Sequence, residues 1–487
     1  MYVRSPQVAP YKLSWIFSGL LLCFSVLGLV LSDSPPAAAL PLSTVNVRPI
    51  PAFARKYGMP CSACHLGWPM LSPFGQAFKD NGYQLGNDRD APIYQDPGYW
   101  PVTFRITPNW HRESQNLMAV DDGSGGTTEA KVTTHGFDWS GLDFHTCGTL
   151  AKNISFYVLP SSDNTGAFHF ESVWARLDNL FGSSWLNIKL GKFELDNLLS
   201  EKRILTLTNV SGVYTNYHFQ PLVSPASVAS GASQVAENYS FGIGDNQVGL
   251  EWMGHSKDDR TRVSASLLTG NDGNPNFSSN NGAGGLLTGR GYDGFFAASQ
   301  AFEVGSLGLQ RVGGFAYIGQ EPTFPQYTVG GAAIDGTGIG NKPFYRAGFI
   351  GQWYLKKFDI TTMYFHGWDS AYLGSNTPAN ATLPTGAQAP SWNGGLFETH
   401  YTLNPRLLLI NRYELVRMSQ QVFATNPSDF GNMDVLTFGY RYYPFISSRA
   451  GFAFHNEYAI QWQKGASPVT GSTLATSSLL IGFDFDF

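Results

Sequence analysis

The chain has 487 residues, of which 31 are basic and 36 acidic, giving a formal net charge of −5. Charged residues make up only 14% of the sequence, against about 25% in soluble domains, while aromatic residues also reach 14% and glycines number 54. This composition excludes a disordered chain and argues against nucleic-acid binding, which needs a basic face. What remains is a large β-rich protein whose strands carry aromatic side chains.

The first 39 residues have the features of a secretory signal peptide. Arg4 and Lys12 precede an apolar stretch over residues 13–31, and three alanines at positions 37–39 form a small-residue cleavage site. We assign residues 1–39 to a signal peptide, with an uncleaved inner-membrane anchor as the alternative. Because no other segment is apolar over such a length, a polytopic helical membrane protein is excluded. Export would place the mature chain in the cell envelope.

Cys61-Ser62-Ala63-Cys64-His65 is a C-x-x-C-H motif, the attachment pattern of c-type haem. Two thiols about one turn apart reach the two vinyl groups of one porphyrin, and the adjacent imidazole is the proximal ligand of the iron. A thioredoxin-like redox pair is disfavoured because no βαβ pattern surrounds the motif. A zinc site is disfavoured because no second Cys/His pair follows at finger spacing. The motif occurs once, so the sequence predicts one covalent haem c held by Cys61, Cys64 and His65.

The residues around this motif predict a small helical haem segment over residues 40–90. We expect a short helix over residues 52–57, and a second helix that has Ser72 as its N-cap, begins at Pro73 and is ended by Gly82. The segment is too short to hold a core of its own, so it needs the haem, a larger partner domain or both. One face of the second helix is expected to cover the porphyrin, to pack on the wall of the larger domain, or both: Phe74, Ala77 and Phe78.

The second axial ligand of the iron is not fixed by the motif. Met70 is the nearest methionine on the C-terminal side of His65 and is our candidate for the distal position. Met59 lies too close to the motif to fold back onto the iron. Several histidines stay open as alternatives, among them His111, His135 and His145.

Over residues 98–487 the sequence has the period-two alternation of half-buried β-strands. Val102, Phe104 and Ile106 alternate with polar neighbours, and the same pattern recurs further along the chain. Further examples lie at residues 154–158, 186–190, 248–252, 347–353 and 452–454. We count about 16 candidate strands, which is within the range of outer-membrane barrels.

Short polar turns and long polar stretches connect these strands. Hairpin turns are expected at Asp258-Asp259, Gly305-Ser306, Lys356-Lys357, Asn404-Pro405 and Ser447-Ser448. Longer loops rich in Gly, Asn, Ser, Thr and Pro are expected over residues 271–294, 326–342 and 374–391. Short periplasmic turns and long extracellular loops are the layout of an outer-membrane barrel.

The last strand is the sharpest evidence for β-structure. Apolar side chains occupy every second position up to the terminal residue: Leu479, Ile481, Phe483, Phe485 and Phe487. A final strand that ends in Phe resembles the assembly signal of bacterial outer-membrane barrels. A soluble β-sandwich or propeller is the alternative, but no blade repeat of about 40 residues is evident. The sequence therefore predicts an all-β fold, a transmembrane antiparallel β-barrel of about 16 strands over residues 98–487, preceded by the small helical c-type haem segment.

Charged residues on the polar face of the strands are expected to line the pore and keep its interior wet. Examples are Arg105, Lys189, Glu251 and Arg346. Cys147 stands alone in a strand-like stretch, and a lone cysteine of this kind is expected to be inert packing.

The order of motifs in the haem segment resembles a known family. The residues that carry the resemblance are Phe53-Ala54-Arg55, the C-x-x-C-H motif, Pro69-x-Leu71, Phe74-Gly75, Phe78-Lys79 and Gly82-Tyr83. Followed by a barrel, this segment looks like the fused outer-membrane cytochrome–porins, the single-haem iron oxidases of iron-oxidising bacteria. Pro60 and Gln76 depart from the family pattern and leave open a broader, functionally uncharacterised branch.

The resemblance implies electron transfer across the bacterial outer membrane through one haem that plugs the barrel. Its donor would be extracellular Fe(II), and its acceptors periplasmic c-type cytochromes or other electron carriers, which would make the chain an iron:cytochrome oxidoreductase. The barrel would contact outer-membrane lipid, with the haem segment at the periplasmic side or in the lumen. No acid–base or nucleophilic catalytic residues and no nucleic-acid partner are expected. Two alternatives stay open: a passive porin with a haem-containing plug, and a periplasmic haem sensor or enzyme on a soluble β-domain.

Overall fold

A computed structural model describes most of the region after the predicted signal peptide. The described residues are 52–67, 70–86, 92, 102–162, 165–196, 198, 243–244, 246–269, 292–321, 327–329, 332–334, 342–369, 391–418, 432–446, 451–464 and 473–486. The predicted signal peptide, residues 1–39, and the terminal Phe487 lie outside them. Residues Arg48–Phe487 belong to one compact unit.

The described part of the chain forms a closed antiparallel barrel of sixteen strands, as predicted from the alternation. Each strand pairs with its neighbour in sequence, and β16 pairs with β1 to close the cylinder. The strands β1 to β16 are Val102–Asp121, Thr127–Ala151, Ile154–Ser162, Phe168–Leu177, Asn187–Glu194, Asn246–His255, Thr261–Leu268, Asp293–Glu303, Leu309–Glu321, Lys342–Leu355, Phe358–Asp369, Ser391–Asn404, Leu407–Met418, Met433–Ile446, Gly451–Lys464 and Thr473–Asp486. Closure leaves no free sheet edge at the level where all strands pair.

The two faces of the barrel wall differ along every strand because side chains alternate with period two. On β10, Phe349 is 72% exposed on the outer face, while its neighbour Ile350 is buried on the inner face. The same holds for Leu190 on β5 and Leu250 on β6, which are exposed beside the buried Lys189 and Glu251. The predicted apolar outer face is therefore confirmed, and the inner face lines the space enclosed by the barrel, here called the lumen.

Short turns join the strands at one end of the barrel, here called the turn end. Four of the five predicted turns are confirmed: those at Asp258-Asp259, Gly305-Ser306, Lys356-Lys357 and Asn404-Pro405. The fifth, at Ser447-Ser448, lies outside the described residues. Asp259 and Lys356 have φ angles of 54° and 60°, which is the left-handed conformation that tight hairpin turns need. A 3₁₀ turn over Leu180–Gly182 joins β4 to β5 and another over Gly305–Leu307 joins β8 to β9.

Connections at the other end of the barrel are longer. The predicted loops over 271–294, 326–342 and 374–391 lie largely outside the described residues, except for a small hairpin of Tyr327–Val329 with Ala332–Ile334. The hairpin of β1 and β2 extends furthest here, since β3 pairs with β2 only between Asp143 and Ala151.

The described residues before the barrel form three short helices: α1 at Ala52–Tyr57, α2 at Cys61–Cys64 and α3 at Pro73–Asp80. Strands His65–Gly67 and Met70–Leu71 pair between α2 and α3. We call residues 52–86 the lumen segment. Within the described residues, no helix is long and apolar enough to span a membrane.

The predicted ends of α3 are confirmed. The Ser72 hydroxyl accepts a hydrogen bond from the Gly75 amide at 3.1 Å, which is the N-cap bond, and Pro73 is the first helical residue. At the other end Asn81 is the C-cap, and Gly82 follows with a φ angle of 73°, a conformation that glycine adopts without strain.

Candidate functional site

The C-x-x-C-H motif occupies one helical turn and the residue after it. Cys61 and Cys64 are the first and last residues of α2, and His65 begins the short strand that pairs with Leu71. Cys64 is half-buried and is not in a disulfide. The backbone of the motif therefore forms one helical turn from Cys61 to Cys64 that leads directly into His65.

The start of α3 packs against the backbone of this turn. The Ser72 amide donates to the Cys64 carbonyl at 2.8 Å, and the Ser72 hydroxyl donates to the Ala63 carbonyl at 3.0 Å. A Cβ atom at Gly75 would lie 2.2 Å from the Cys64 carbonyl oxygen, so only glycine fits there. These contacts fix the motif relative to α3.

Aromatic side chains join the lumen segment to the barrel wall. Tyr83 stacks between Phe53, with ring centroids 5.1 Å apart, and Trp174 on β4, with ring centroids 6.4 Å apart. The Tyr57 hydroxyl donates to the Tyr83 carbonyl at 3.0 Å. Burial raises the pKa of Tyr83 well above its usual value, so this phenol stays protonated. Trp174 in turn stacks on Tyr157 of the neighbouring strand β3, with ring centroids 5.8 Å apart, so the aromatic cluster extends over two strands of the wall.

The two phenylalanines of α3 differ in burial, so the predicted packing of their common face on the wall is confirmed for Phe78. Phe78 is buried in the aromatic cluster, with its ring 5.0 Å from that of Phe53, whereas Phe74 is 45% exposed. Phe78 lies near the end of the helix, where Tyr83 and Phe53 surround it, while Phe74 is on the first turn, beside the motif. Only Phe78 therefore takes part in docking the segment.

Met70, the candidate distal ligand, lies against another part of the wall. Its side chain is 1% exposed and packs with Leu408 and Ile410 on the inner face of β13. Its backbone pairs with Gly67, two residues after His65. Met59 packs at the edge of the main hydrophobic core.

The alternative histidines belong to the barrel. His111 on β1 lies 2.7 Å from the Ser478 hydroxyl, and Nδ1 of His145 on β2 lies 2.9 Å from the Tyr157 hydroxyl. His135, also on β2, is exposed in the extended hairpin. Each of these three thus lies on a strand of the barrel wall.

Charged and polar groups of the wall hold the end of α3. The Asp80 carboxylate lies 2.5 Å from the Arg262 guanidinium of β7, and Arg176 of β4 donates to the Lys79 carbonyl at 2.6 Å. Arg176 also pairs with Asp178 at 2.5 Å. The Thr149 hydroxyl of β2 donates to the Gly82 carbonyl at 3.3 Å. All these wall residues are buried, so the end of α3 is anchored by desolvated polar contacts.

Of the four charges predicted to line a wet pore, Lys189, Glu251 and Arg346 are buried, so the prediction was wrong for these three, whereas Arg105 is only partly buried. Lys189 pairs with Glu251, its direct neighbour across the β5–β6 ladder, and Arg105 lies 3.5 Å from Asp143 and from Asp484. Arg346 stacks on Phe344 and Trp392, with its guanidinium 5.0 Å from each ring centroid. Further buried groups form two histidine–carboxylate–arginine clusters, Glu398, His400 and Arg412, and Arg441, His455, Glu457 and Asp484.

Sequence reasoning missed these clusters although one signal was present. Glu398 and His400, or His455 and Glu457, stand two positions apart on one strand and therefore share a face. Their partners come from neighbouring strands, which requires the register. No group of three or more His, Cys, Asp or Glu side chains within the described residues is arranged to hold a metal ion.

Several solved structures of outer-membrane proteins are similar to this chain. The loop L8 deletion mutant of OmpT, an outer membrane protein of Vibrio cholerae, is 12% identical, covering 79% of this chain and 99% of its own with a TM-score of 0.42. The outer membrane channel DcaP of Acinetobacter baumannii is 10% identical, covering 79% and 97% with a TM-score of 0.45. The anion-selective porin from Comamonas acidovorans is 12% identical, covering 79% and 99% with a TM-score of 0.41. No protein-family model matches the sequence, and no curated protein matches it.

Proposed function

We propose that this chain is an outer-membrane barrel that carries one c-type haem on its lumen segment and transfers electrons between the two sides of the membrane. The observation that carries the proposal is the C-x-x-C-H motif on a segment that the barrel wall holds from two sides. Met70 contacts β13, while Asp80 contacts β7. A redox group attached at this motif would sit inside an otherwise insulating cylinder.

The residues around the motif fit a covalently attached haem. α2 sets Cys61 and Cys64 one turn apart, and His65 follows without a gap. The exposed ring of Phe74 offers an apolar surface beside the motif. When bound, haem c supplies an iron that takes up and releases one electron reversibly; Cys61 and Cys64 would hold it and His65 would ligate it, with Met70 as the distal candidate.

The chain's own residues keep the motif in place. The Ser72 hydrogen bonds and the close approach of Gly75 fix α2 against α3, and the Tyr83–Trp174 stack fixes α3 against the wall. The surrounding ion pairs are buried and paired, which supports a lumen that is filled rather than open. Under this proposal, the barrel excludes bulk solvent and positions the segment.

An outer-membrane location is supported by the outer face of the barrel. Large apolar side chains are exposed around the whole wall, for example Leu190, Leu267, Phe296, Ile318, Phe349, Phe397, Phe438, Phe454 and Ile481. A continuous apolar band of this kind matches hydrocarbon rather than water. It supports lipid as the environment and disfavours the soluble β-domain alternative.

The end of the barrel at which α3 is held indicates the electron-transfer partners. The wall residues that hold α3 lie beside the short turns, since Asp178 begins the β4–β5 turn and Asp259 lies in the β6–β7 turn. Short turns face the periplasm in bacterial barrels. The lumen segment would therefore be accessible to periplasmic c-type cytochromes or other electron carriers, with Fe(II) as the donor on the extracellular side.

The proposal is tested in outer-membrane vesicles by adding Fe(II) from outside and recording the haem spectrum. We expect reduction in the wild type and in Cys147→Ser, a matched change of a cysteine outside the motif, and loss of the haem spectrum in Cys64→Ser. A haem that stays oxidised with Fe(II) and with every other outside donor would overturn electron transfer. A large single-channel conductance of the haem-loaded protein would also overturn electron transfer and would favour a passive porin.

A further inference from the structure

Arg262 on β7 joins three parts of the molecule. Its Nη2 lies 2.5 Å from Asp80 Oδ2 at the end of α3 and 3.5 Å from Asp196 Oδ1, which follows β5. Its Nε lies 3.6 Å from Asp259 Oδ1 in the β6–β7 turn. The side chain is almost fully buried. One cation thus contacts the lumen segment, the chain after β5 and a turn of the barrel.

We propose that Arg262 is the positioning residue that holds α3 against the barrel wall, and that Asp259 competes with Asp80 for it, so that the hold weakens as the pH rises. This inference goes beyond the proposed electron transfer, because it concerns how the lumen segment is retained whether or not a haem is attached.

The charges around Asp259 balance only while it is protonated. Five titratable or charged groups from the packed elements face it: Asp80 of α3, Asp196 after β5, His255 of β6, Arg262 of β7 and Arg311 of β9. Two guanidiniums offset the carboxylates of Asp80 and Asp196. Ionisation of Asp259 adds a third carboxylate, and the buried group then carries excess negative charge next to Asp80.

The geometry leaves the Asp259–Arg262 contact incomplete. Within the described residues, Asp259 Oδ1 and Arg262 Nε are both buried without a hydrogen-bond partner, although they face each other at 3.6 Å. Arg262 instead makes its short contact to Asp80. A small shift of the guanidinium toward the turn would close the second contact at the expense of the first.

Asp259 can exchange protons with solvent. Its side chain is 14% exposed, and it lines a cleft together with Ser72 and Gln76 at the start of α3. Burial, and after it the charge of Asp80, raises the pKa of Asp259 to about 7. The group therefore changes charge in a range that the envelope of a bacterium experiences.

The direction of the pH effect follows from proton binding. In the docked state Asp259 keeps its proton up to about pH 7, whereas release of α3 relieves its burial beside Ser72 and Gln76 and removes the charge of Asp80, so that the pKa falls toward its ordinary value near 4. Between these values the docked state binds the extra proton. Docking therefore weakens as the pH rises from about 4 to about 7 and stays level above that range.

The test is hydrogen exchange of full-length protein in detergent or lipid nanodiscs, read by mass spectrometry at the amides that close the end of α3. These are Asn81, Gly82 and Tyr83, which bond to the carbonyls of Ala77, Lys79 and Phe78. After correction for intrinsic exchange, we expect wild-type protection to fall by up to about tenfold per pH unit below pH 7 and to level off above it.

Two variants one residue apart make the test specific. Asp259→Asn is expected to keep high protection with a flat pH profile. Asp258→Asn, in the same turn but exposed and without contact to Arg262 among the described ion pairs, is expected to follow the wild type. Competition of Asp259 with Asp80 for Arg262 would be refuted if protection in Asp259→Asn fell with pH as in the wild type. It would also be refuted if wild-type protection did not change with pH.

Arg262→Gln tests the positioning role separately. We expect at least a tenfold loss of protection at the same amides at pH 5, in a barrel that still shows the heat-modifiable gel migration of a folded barrel. Wild-type protection in this variant would contradict the role of Arg262. If Arg262→Gln fails to fold, the pair of aspartate variants still decides the pH-dependent part.

Discussion

The lumen segment contacts the wall at two places that differ in chemistry: one contact is purely apolar, whereas the other adds buried ion pairs to the aromatic stack of Tyr83 on Trp174. At one side Met70 is buried against Leu408 and Ile410 of β13, with no charge involved. At the other side Asp80 and the Lys79 carbonyl meet Arg262 and Arg176. An apolar contact gains free energy from burial and tolerates changes of pH and salt. Buried ion pairs gain little net free energy, because desolvation offsets attraction, but they accept only one geometry.

This difference assigns different tasks to the two sides. The apolar side supplies affinity between segment and wall, whereas the charged side fixes the orientation of α3 and thereby of the motif, which Gly75 and Ser72 tie to α3. Substitutions at the charged side should cost much docking free energy, because each leaves a buried charged or polar partner unpaired. Substitutions at the apolar side should cost docking free energy in proportion to the apolar surface that they remove from the contact.

The largest effect is expected for Arg176→Met. It leaves Asp178 as an unpaired buried charge and the Lys79 carbonyl without its donor, so the opening free energy of α3 should fall by about 3–5 kcal/mol. Hydrogen exchange at residues 79–83 measures this opening free energy. Arg417→Met, which removes a half-exposed pair with Asp434, is the matched control and should cost about 0–1 kcal/mol. Equal costs for the two variants would refute the distinction between buried and exposed pairs.

Met70→Ala should have the next largest effect, a loss of about 2–3 kcal/mol in docking free energy, because it leaves a cavity against β13. Unlike the charged side, this loss should be the same at pH 5 and pH 8 and at low and high salt. Met118→Ala, at an exposed position of β1, should have almost no effect. A strong salt or pH dependence in Met70→Ala would show that the apolar contact is not separate from the ionic one.

Gly75→Ala should have a smaller effect, about 1–3 kcal/mol, because the added Cβ meets the backbone of Cys64 and forces α2 and α3 apart. Its signature should be local, with faster exchange around the motif and little change at Asn81. Gly136→Ala on β2, where an added Cβ meets nothing within 4 Å, serves as the control. Unchanged exchange at the motif in Gly75→Ala would mean that this contact does not position it.

Local patterns in the sequence were sufficient for much of the fold. Alternation located the strands, short polar stretches between them located four turns, and Ser72-Pro73 located the start of α3, since each depends on neighbouring residues. Phe74 and Phe78 could not be distinguished in this way, because helical spacing is the same for both and only the surrounding tertiary contacts differ.

The inner face shows where sequence reasoning stops. Lys189, Glu251 and Arg346 were correctly placed on the polar face, but their burial depends on what fills the lumen, and their partners depend on strand register. Likewise, nothing in the sequence near Asp80 indicates that Arg262, far along the chain, is its partner. Long-range contacts of this kind require the closed barrel.

Covalent attachment of haem at Cys61 and Cys64 is the central claim, and a haem stain after denaturing electrophoresis tests it most directly. The protein is expressed with the machinery that matures c-type cytochromes and extracted from the outer membrane. We predict one stained band at the mass of the chain, unchanged in Cys147→Ser and absent when Cys61 and Cys64 are both changed to Ser. An unstained wild-type band, or a stain that survives the double change, would contradict the account.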